Sequence, residues 1–166
     1  PIHNIKKSLK NFSGVQRRFE KVGKFNDTLI IDDYGHHPVE INAALSAARL
    51  LTPENKIISI FQPHRYSRLR DLFNDFCSCF NDADQVFLLD VFPAGEKVIK
   101  DFESLDLEEG LTKYGHKNVT YVKDSRILAK YLLPQINTGD LIICLGAGTI
   151  TKIARSLEQE LKNECR

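Results

Sequence analysis

The stretch IIDDYGHHPVEI, residues 30 to 41, sets Asp32, Asp33, Tyr34, His36 and His37 between an apolar run and a proline that can open a helix. A carboxylate there can accept hydrogen bonds from a ribose diol, and an imidazole can orient or polarise an incoming amine. A second stretch, QPHRYSR at 62 to 68, brings His64, Arg65 and Arg68 together. Guanidinium groups bind a carboxylate or a phosphate through paired N–H donors. Pro63 and Ser67 mark a helix start, where the macrodipole is positive and two arginines are locally disfavoured. The pattern therefore calls for a compensating anion, either a bound ligand or an acid of the chain such as Asp71, Asp75 or a neighbouring loop. Zinc is the alternative use for His36, His37 and His64. Adjacent histidines diverge in direction and no cysteine or third close ligand accompanies them, so the spacing argues against a metal site.

Three further stretches carry weaker signals. RRFE, residues 17 to 20, reads as strand, which sends Arg17 and Arg18 to opposite faces. One of them then faces a partner, unless both only charge a sheet edge against aggregation. DVFPAGE offers Glu96 as an acid or cation partner, or simply a type II turn. GAGT allows close backbone approach to an anion, as do ordinary glycine turns between a strand and a helix.

The elements that must position these residues alternate along the chain. Apolar strands are expected at 28–31, 56–61, 85–91, 119–122 and 140–145, and helices around 39–51, 67–80, 100–114, 125–136 and 149–163. Ile41, Ala44, Leu45, Ala48 and Leu51 share one helical face; Leu69, Leu72, Phe73, Phe76 and Phe80 share another; Ile150, Ile153, Ala154, Leu157 and Leu161 a third. The near-continuous apolar runs KIISIF, QVFLLDV and DLIICL suit strands covered on both sides. The fold class that follows is α/β: a Rossmann-like three-layer sandwich, its doubly wound sheet mostly parallel. A strand before residue 28, hairpin-joined near Gly23 or at Asn26-Asp27, adds an antiparallel edge. DFESLDLEEG reads as an acidic, exposed stretch. In such a sheet the loops after the strands gather on one edge and ligands bind there, so the exits DDYGHHP, QPHRYSR, DVFPAGE and GAGT should meet.

The bulk numbers set the limits. A chain of 166 residues, 42% hydrophobic, suits one main domain with a full core. A net charge of +1 with interspersed signs gives no field that would recruit nucleic acid or an anionic membrane surface. No apolar run reaches membrane-spanning length. The four cysteines lack zinc spacing, and Cys144 lies in an apolar strand like a buried thiol, which favours a reducing compartment. There is no methionine, and Ile2, Ile5, Leu9 and Phe12 form a short helical stripe that resembles the tail of an element begun upstream. Removal of an initiator also accounts for the first of these observations.

Taken in order, FSGVQRRFE, DDYGHHPVEI, FQPHRYSR, DVFPAGE and GAGTI resemble the C-terminal domain of the Mur ligases, ATP-dependent enzymes that add amino acids to the peptidoglycan precursor. The set spans essentially the whole chain and is most similar to the alanine-adding members. A murein-peptide recycling relative typically has DFAHHP and lacks the QPHRYSR pattern. The resemblance implies that residues 13–166 are this domain and 1–12 a remnant of the preceding central ATPase domain. That central domain carries a glycine-rich phosphate loop of a kind missing from this sequence, so the isolated domain is expected to be inactive. By the same resemblance Arg18 reaches ATP phosphate, Asp33 holds the ATP ribose with Tyr34 beside the nucleotide, and Tyr34 and His36 flank the amino acid. His64, Arg65 and Arg68 surround its carboxylate, which leaves Arg18 and His36 closest to the chemistry. The implied cofactors are ATP and Mg²⁺, the latter held mainly outside this chain. The implied partners are L-alanine, UDP-N-acetylmuramic acid and the missing N-terminal and central domains, in the cytoplasm. Phe92 stands where tyrosine is frequent. Two other readings stay open at this point: a stand-alone nucleotide- or anion-binding module, and the equivalent domain of the recycling ligase.

Overall fold

A computed structural model describes residues 15–165, so the stripe over residues 2–12 and the boundary near residue 13 lie outside the described residues. Strands β1 (Glu20–Phe25) and β2 (Thr28–Asp33) form the expected antiparallel hairpin. Asn26 and Asp27 make its turn, with φ of 45° and 63°. Two positive φ values match the primed turn that follows strand twist, and Asn and Asp tolerate them. Gly23 instead follows a register shift within β1. The chain continues through α1 (Pro38–Leu51), β3 (Ile57–Phe61), α2 (Tyr66–Asp71), α3 (Phe73–Ser78) and β4 (Gln85–Leu88). It ends with α4 (Ser104–Lys113), β5 (Val119–Tyr121), α5 (Leu128–Leu132) between two 3₁₀ turns, β6 (Leu141–Leu145) and α6 (Ile150–Glu164).

The sheet order is β1-β2-β6-β3-β4-β5, parallel throughout except for β1 against β2. Alternate residues of the central strands feed opposite faces. Ile57, Phe61, Leu141, Ile143 and Leu145 pack under α1 to α4 with Ile41, Leu45, Leu69, Phe76, Leu107 and Leu111. Ile58, Ile60, Ile142 and Cys144 pack under α5 and α6 with Leu128, Leu132, Ile150, Leu157 and Leu161. Both faces are covered, which is why β3 and β6 are apolar at nearly every position. This is the three-layer arrangement with one antiparallel edge.

Local departures have local causes. The helix expected over 67–80 breaks at Leu72, whose φ of −119° and ψ of 22° lie outside helical geometry, so α2 and α3 pack as two short segments. Leu51 leaves the apolar face of α1 and is 64% exposed. The acidic stretch is only half exposed: α4 buries Ser104, Leu107, Gly110 and Leu111. Gly110 lets α4 approach α3, because a Cβ there would lie 2.6 Å from Cys77 Sγ and 3.0 Å from the Phe73 ring.

Gly110→Ala tests that contact. Overpacking costs about 1–3 kcal/mol, whereas replacing a helical glycine gains about 1 kcal/mol. The expected outcome in urea unfolding is a net loss of stability, and a gain would show that α3 and α4 are not held this tightly.

Candidate functional site

Four strand exits are neighbours because β6 lies between β2 and β3: DDYGHHP, GAGT, QPHRYSR and DVFPAGE follow β2, β6, β3 and β4 in that spatial order. Backbone hydrogen bonds continue past the strands and tie the exits together. Gly146 N–H donates to Asp33 O at 3.2 Å, Gln62 N–H to Leu145 O at 3.0 Å, Arg65 N–H to Phe92 O at 2.9 Å and Phe92 N–H to Pro63 O at 2.8 Å. Gln62 also caps α6, its Oε1 accepting from Ile150 N–H at 3.0 Å.

Four rings cross this rim in a row. Tyr34 and His36 meet edge-on at 5.1 Å, His36 and His64 lie 6.0 Å apart, and His64 stacks on Phe92 at 5.3 Å with planes 14° apart. Phe92 thus has a packing role, as a flat support for His64. Arginines frame the row. Arg68 donates to His64 O at 3.0 Å and lies 3.3 Å from its Nδ1, while Arg65 is exposed at the start of α2. Arg65 has φ 72° and ψ 129°, a conformation rarely tolerated by a residue with a Cβ.

Arg17 and Arg18 are not on a strand. They sit in the turn before β1, where Arg17 and Phe19 have φ of 58° and 50°, and both guanidinium groups approach the Tyr34 ring, at 4.7 and 5.7 Å. The turn is held from outside: Arg17 O accepts from Tyr34 N–H at 2.7 Å, and Phe19 N–H donates to Asp33 Oδ2 at 2.8 Å. Arg17 is the structural member of the pair. It donates to Gly146 O at 2.6 Å and lies 3.8 Å from buried Asp32, which also accepts from Thr151 Oγ1 at 2.6 Å. Arg18 is half exposed and lies 3.7 Å from Glu40.

The anion demanded at the start of α2 is Glu96, an acid of the neighbouring loop. Its carboxylate accepts from Ser67 N–H at 2.9 Å and Ser67 Oγ at 2.6 Å. Those two bonds, with Arg65 and the Tyr66 N–H, hold its pKa below the ordinary carboxylate range. Ala94 and Gly95 beside it have φ of 49° and 88°, so the turn is of the primed kind, not type II. The helix start is thus met by an acid of the chain, while Arg65 stays exposed and Arg68 is held against His64. GAGT serves packing: a Cβ on Gly148 would lie 2.6 Å from Gln62 Oε1 and 2.7 Å from the Phe92 ring.

Asp33 is 7% exposed, and each oxygen already takes a backbone amide, Oδ1 from Gly35 at 2.7 Å and Oδ2 from Phe19. A ribose hydroxyl would use the second lone pair of the same oxygens. Among the described residues no three His, Cys, Asp or Glu side chains gather as a metal cage. Among them, too, no helix is long and apolar enough to cross a membrane. His64 is harder to protonate than an ordinary imidazole, first because burial disfavours its charged form, then because Arg68, His36 and Arg65 repel it; Glu96 opposes this weakly.

Fold and rim together define a Rossmann-type α/β domain that gathers two histidines and four arginines at one sheet edge. The chain belongs to the Mur ligase, glutamate ligase domain family, which matches residues 17–148. It is 51% identical over 158 residues, 95% of its length, to a UDP-N-acetylmuramate–L-alanine ligase of Rhodopseudomonas palustris. It spans 34% of that relative's length. Among solved structures it is similar to the UDP-N-acetylmuramate-alanine ligase of Thermotoga maritima, with a TM-score of 0.74 and 26% identity, covering 95% of this chain and 33% of the other. A murein peptide ligase of Psychrobacter arcticus shares the fold, with a TM-score of 0.71 and 21% identity, covering 95% and 32%.

Two measurements check this geometry. Because His64 binds its proton more weakly folded than unfolded, protonation favours the unfolded chain. Stability is therefore full above about pH 6.5 and declines as pH falls through the lowered value. His64→Gln should flatten that slope in denaturation measured between pH 8 and about 5; an unchanged slope would clear His64 of the effect. Asp33→Ala leaves the Phe19 and Gly35 amides without their acceptor and should cost about 1–3 kcal/mol of folding stability, read by chemical denaturation.

Proposed function

We propose that the chain is the amino-acid-binding, closing domain of a cytoplasmic, ATP-dependent ligase that joins L-alanine to UDP-N-acetylmuramic acid, acting only with the rest of the enzyme. One observation carries this reading: His36, His64, Arg65 and Arg68 share one rim. Similarity to alanine ligases across nearly the whole chain supports it.

Arg65 and Arg68 hold the alanine carboxylate, with His64 kept neutral between them so that it can accept or donate a hydrogen bond without adding to the local positive charge. Tyr34 and His36 lie beside the amine and the nucleotide. Arg18 reaches the phosphates, and Asp33, at the end of β2, contacts the ribose while locking its own loop. ATP, when bound, supplies the phosphoryl group that activates the muramoyl carboxylate as an acyl phosphate. The alanine amine arrives as an ammonium, and one proton must leave before its lone pair can attack; a ring nitrogen of His36 takes it. As the C–N bond forms, the acyl C–O bond breaks and phosphate departs with that electron pair. Loss of the second nitrogen proton leaves the amide. Closure of the domain excludes water, which would otherwise hydrolyse the acyl phosphate.

The test is amide formation by the complete polypeptide with ATP, UDP-N-acetylmuramic acid and a panel of amino acids and murein tripeptide. Preference for L-alanine is expected, and preference for the tripeptide would overturn the assignment. Arg65→Ala should weaken L-alanine use by about 1–3 kcal/mol, seen as a raised KM. Arg65→Gly should do the same while stabilising the fold, since glycine relieves the positive φ. Unchanged alanine kinetics in both would remove Arg65 from the receptor.

A further inference from the structure

Glu40 stands in the first turn of α1 and performs two tasks at once. Its Oε2 accepts the backbone N–H of His36 at 3.1 Å and of His37 at 3.3 Å, closing a capping box in which His37 Nδ1 accepts from Val39 N–H. The same oxygen lies 3.4 Å from His36 Nδ1, and Oε1 lies 3.7 Å from the Arg18 guanidinium. Burial pushes its acidity towards the neutral form, but the His36 and His37 amides, His36 itself and Arg18 outweigh burial and keep the carboxyl ionised more readily than usual.

The surroundings of His36 Nδ1 settle which ring nitrogen carries the proton. Nδ1 lies 3.0 Å from Tyr34 O and 3.4 Å from the Glu40 carboxylate. A carbonyl and a carboxylate can only accept, so a hydrogen must sit on Nδ1. The lone pair of the neutral ring is then on Nε2. Free imidazole side chains favour the other tautomer, so the preference here is imposed by the fold.

We propose that Glu40 is a positioning residue of the site: together with the Tyr34 carbonyl, the nearer acceptor, it holds His36 as the Nδ1–H tautomer, leaving Nε2 to accept the amine proton, and it faces Arg18 across the same carboxylate. The tautomer stands on geometry alone; its consequence for turnover rests on the ligase reading. Sharing one carboxylate also links the arginine assigned to phosphate with the histidine assigned to the amine, so the two halves of the reaction are aligned by one group.

Glu40→Gln separates this role from simple capping. The Gln carbonyl can still accept the His36 and His37 amides, so the helix start survives, while the charge facing Nδ1 and Arg18 is gone. In this chain, nitrogen-15 NMR of the imidazoles above pH 8 should show His36 protonated on Nδ1, with a larger Nε2–H share in Glu40→Gln. A wild-type ring protonated on Nε2 would overturn the proposal whether or not the variant folds. In the complete enzyme, Glu40→Gln should lower kcat on the order of ten- to a hundredfold with KM for L-alanine nearly unchanged and thermal stability close to wild type. Wild-type kcat in the variant would reduce Glu40 to a cap. Failure of the unaltered complete polypeptide to form the alanine amide would instead sink the ligase reading, with the ring tautomer still deciding the role of Glu40.

Discussion

The insertion of β6 between β2 and β3 is the constraint on which the site depends. Residues 141–145, far along the chain, pair in parallel with 29–33 on one side and 57–61 on the other. Without that ladder, DDYGHHP and QPHRYSR would not share a rim, and the ring row from Tyr34 to Phe92 would be cut between His36 and His64. The apolar residues of β6, fully buried on both faces, supply the driving force. Gln62 and Gly148 then fix how closely the loops can approach.

The rim concentrates positive charge, and each cation that serves the architecture has a local acid. Arg17 faces Asp32, Arg18 faces Glu40, and the start of α2 is met by Glu96. Arg65, exposed at that same start, has a distorted backbone, with φ of 72° and ψ of 129°. Strained backbone is retained where the surroundings over-determine it, and here the Arg65 N–H bond to Phe92 O and the Glu96 cap do so. Short loops tied to four strands thereby hold the rim side chains in fixed places.

Much of the fold was legible in the sequence because strand alternation and helical stripes are local consequences of burial. The hairpin, the parallel sheet, the buried Cys144 and the convergence of strand exits all rest on patterns within a dozen or so residues and on one topological rule. Arg17 and Arg18 were misplaced for a physical reason. Alternation predicts faces only inside a strand, and the positive φ values of Arg17 and Phe19 are set by contacts to Tyr34 and Asp33 on another strand. The break at Leu72 and the exposure of Leu51 likewise depend on what each helix end meets.

The sequence alone determined the layers, the chemistry available at each strand exit and the need for an anion where Arg65 and Arg68 begin a helix. Only the tertiary structure decided that Glu96 is that anion, that Asp33 locks its own loop, that Arg17 is structural while Arg18 faces Glu40, and that His36 Nδ1 faces the Tyr34 carbonyl. Residue type and spacing fix what a side chain can donate or accept. Which partner it finds is a distance between segments remote in the chain, and that is settled when the sheet assembles.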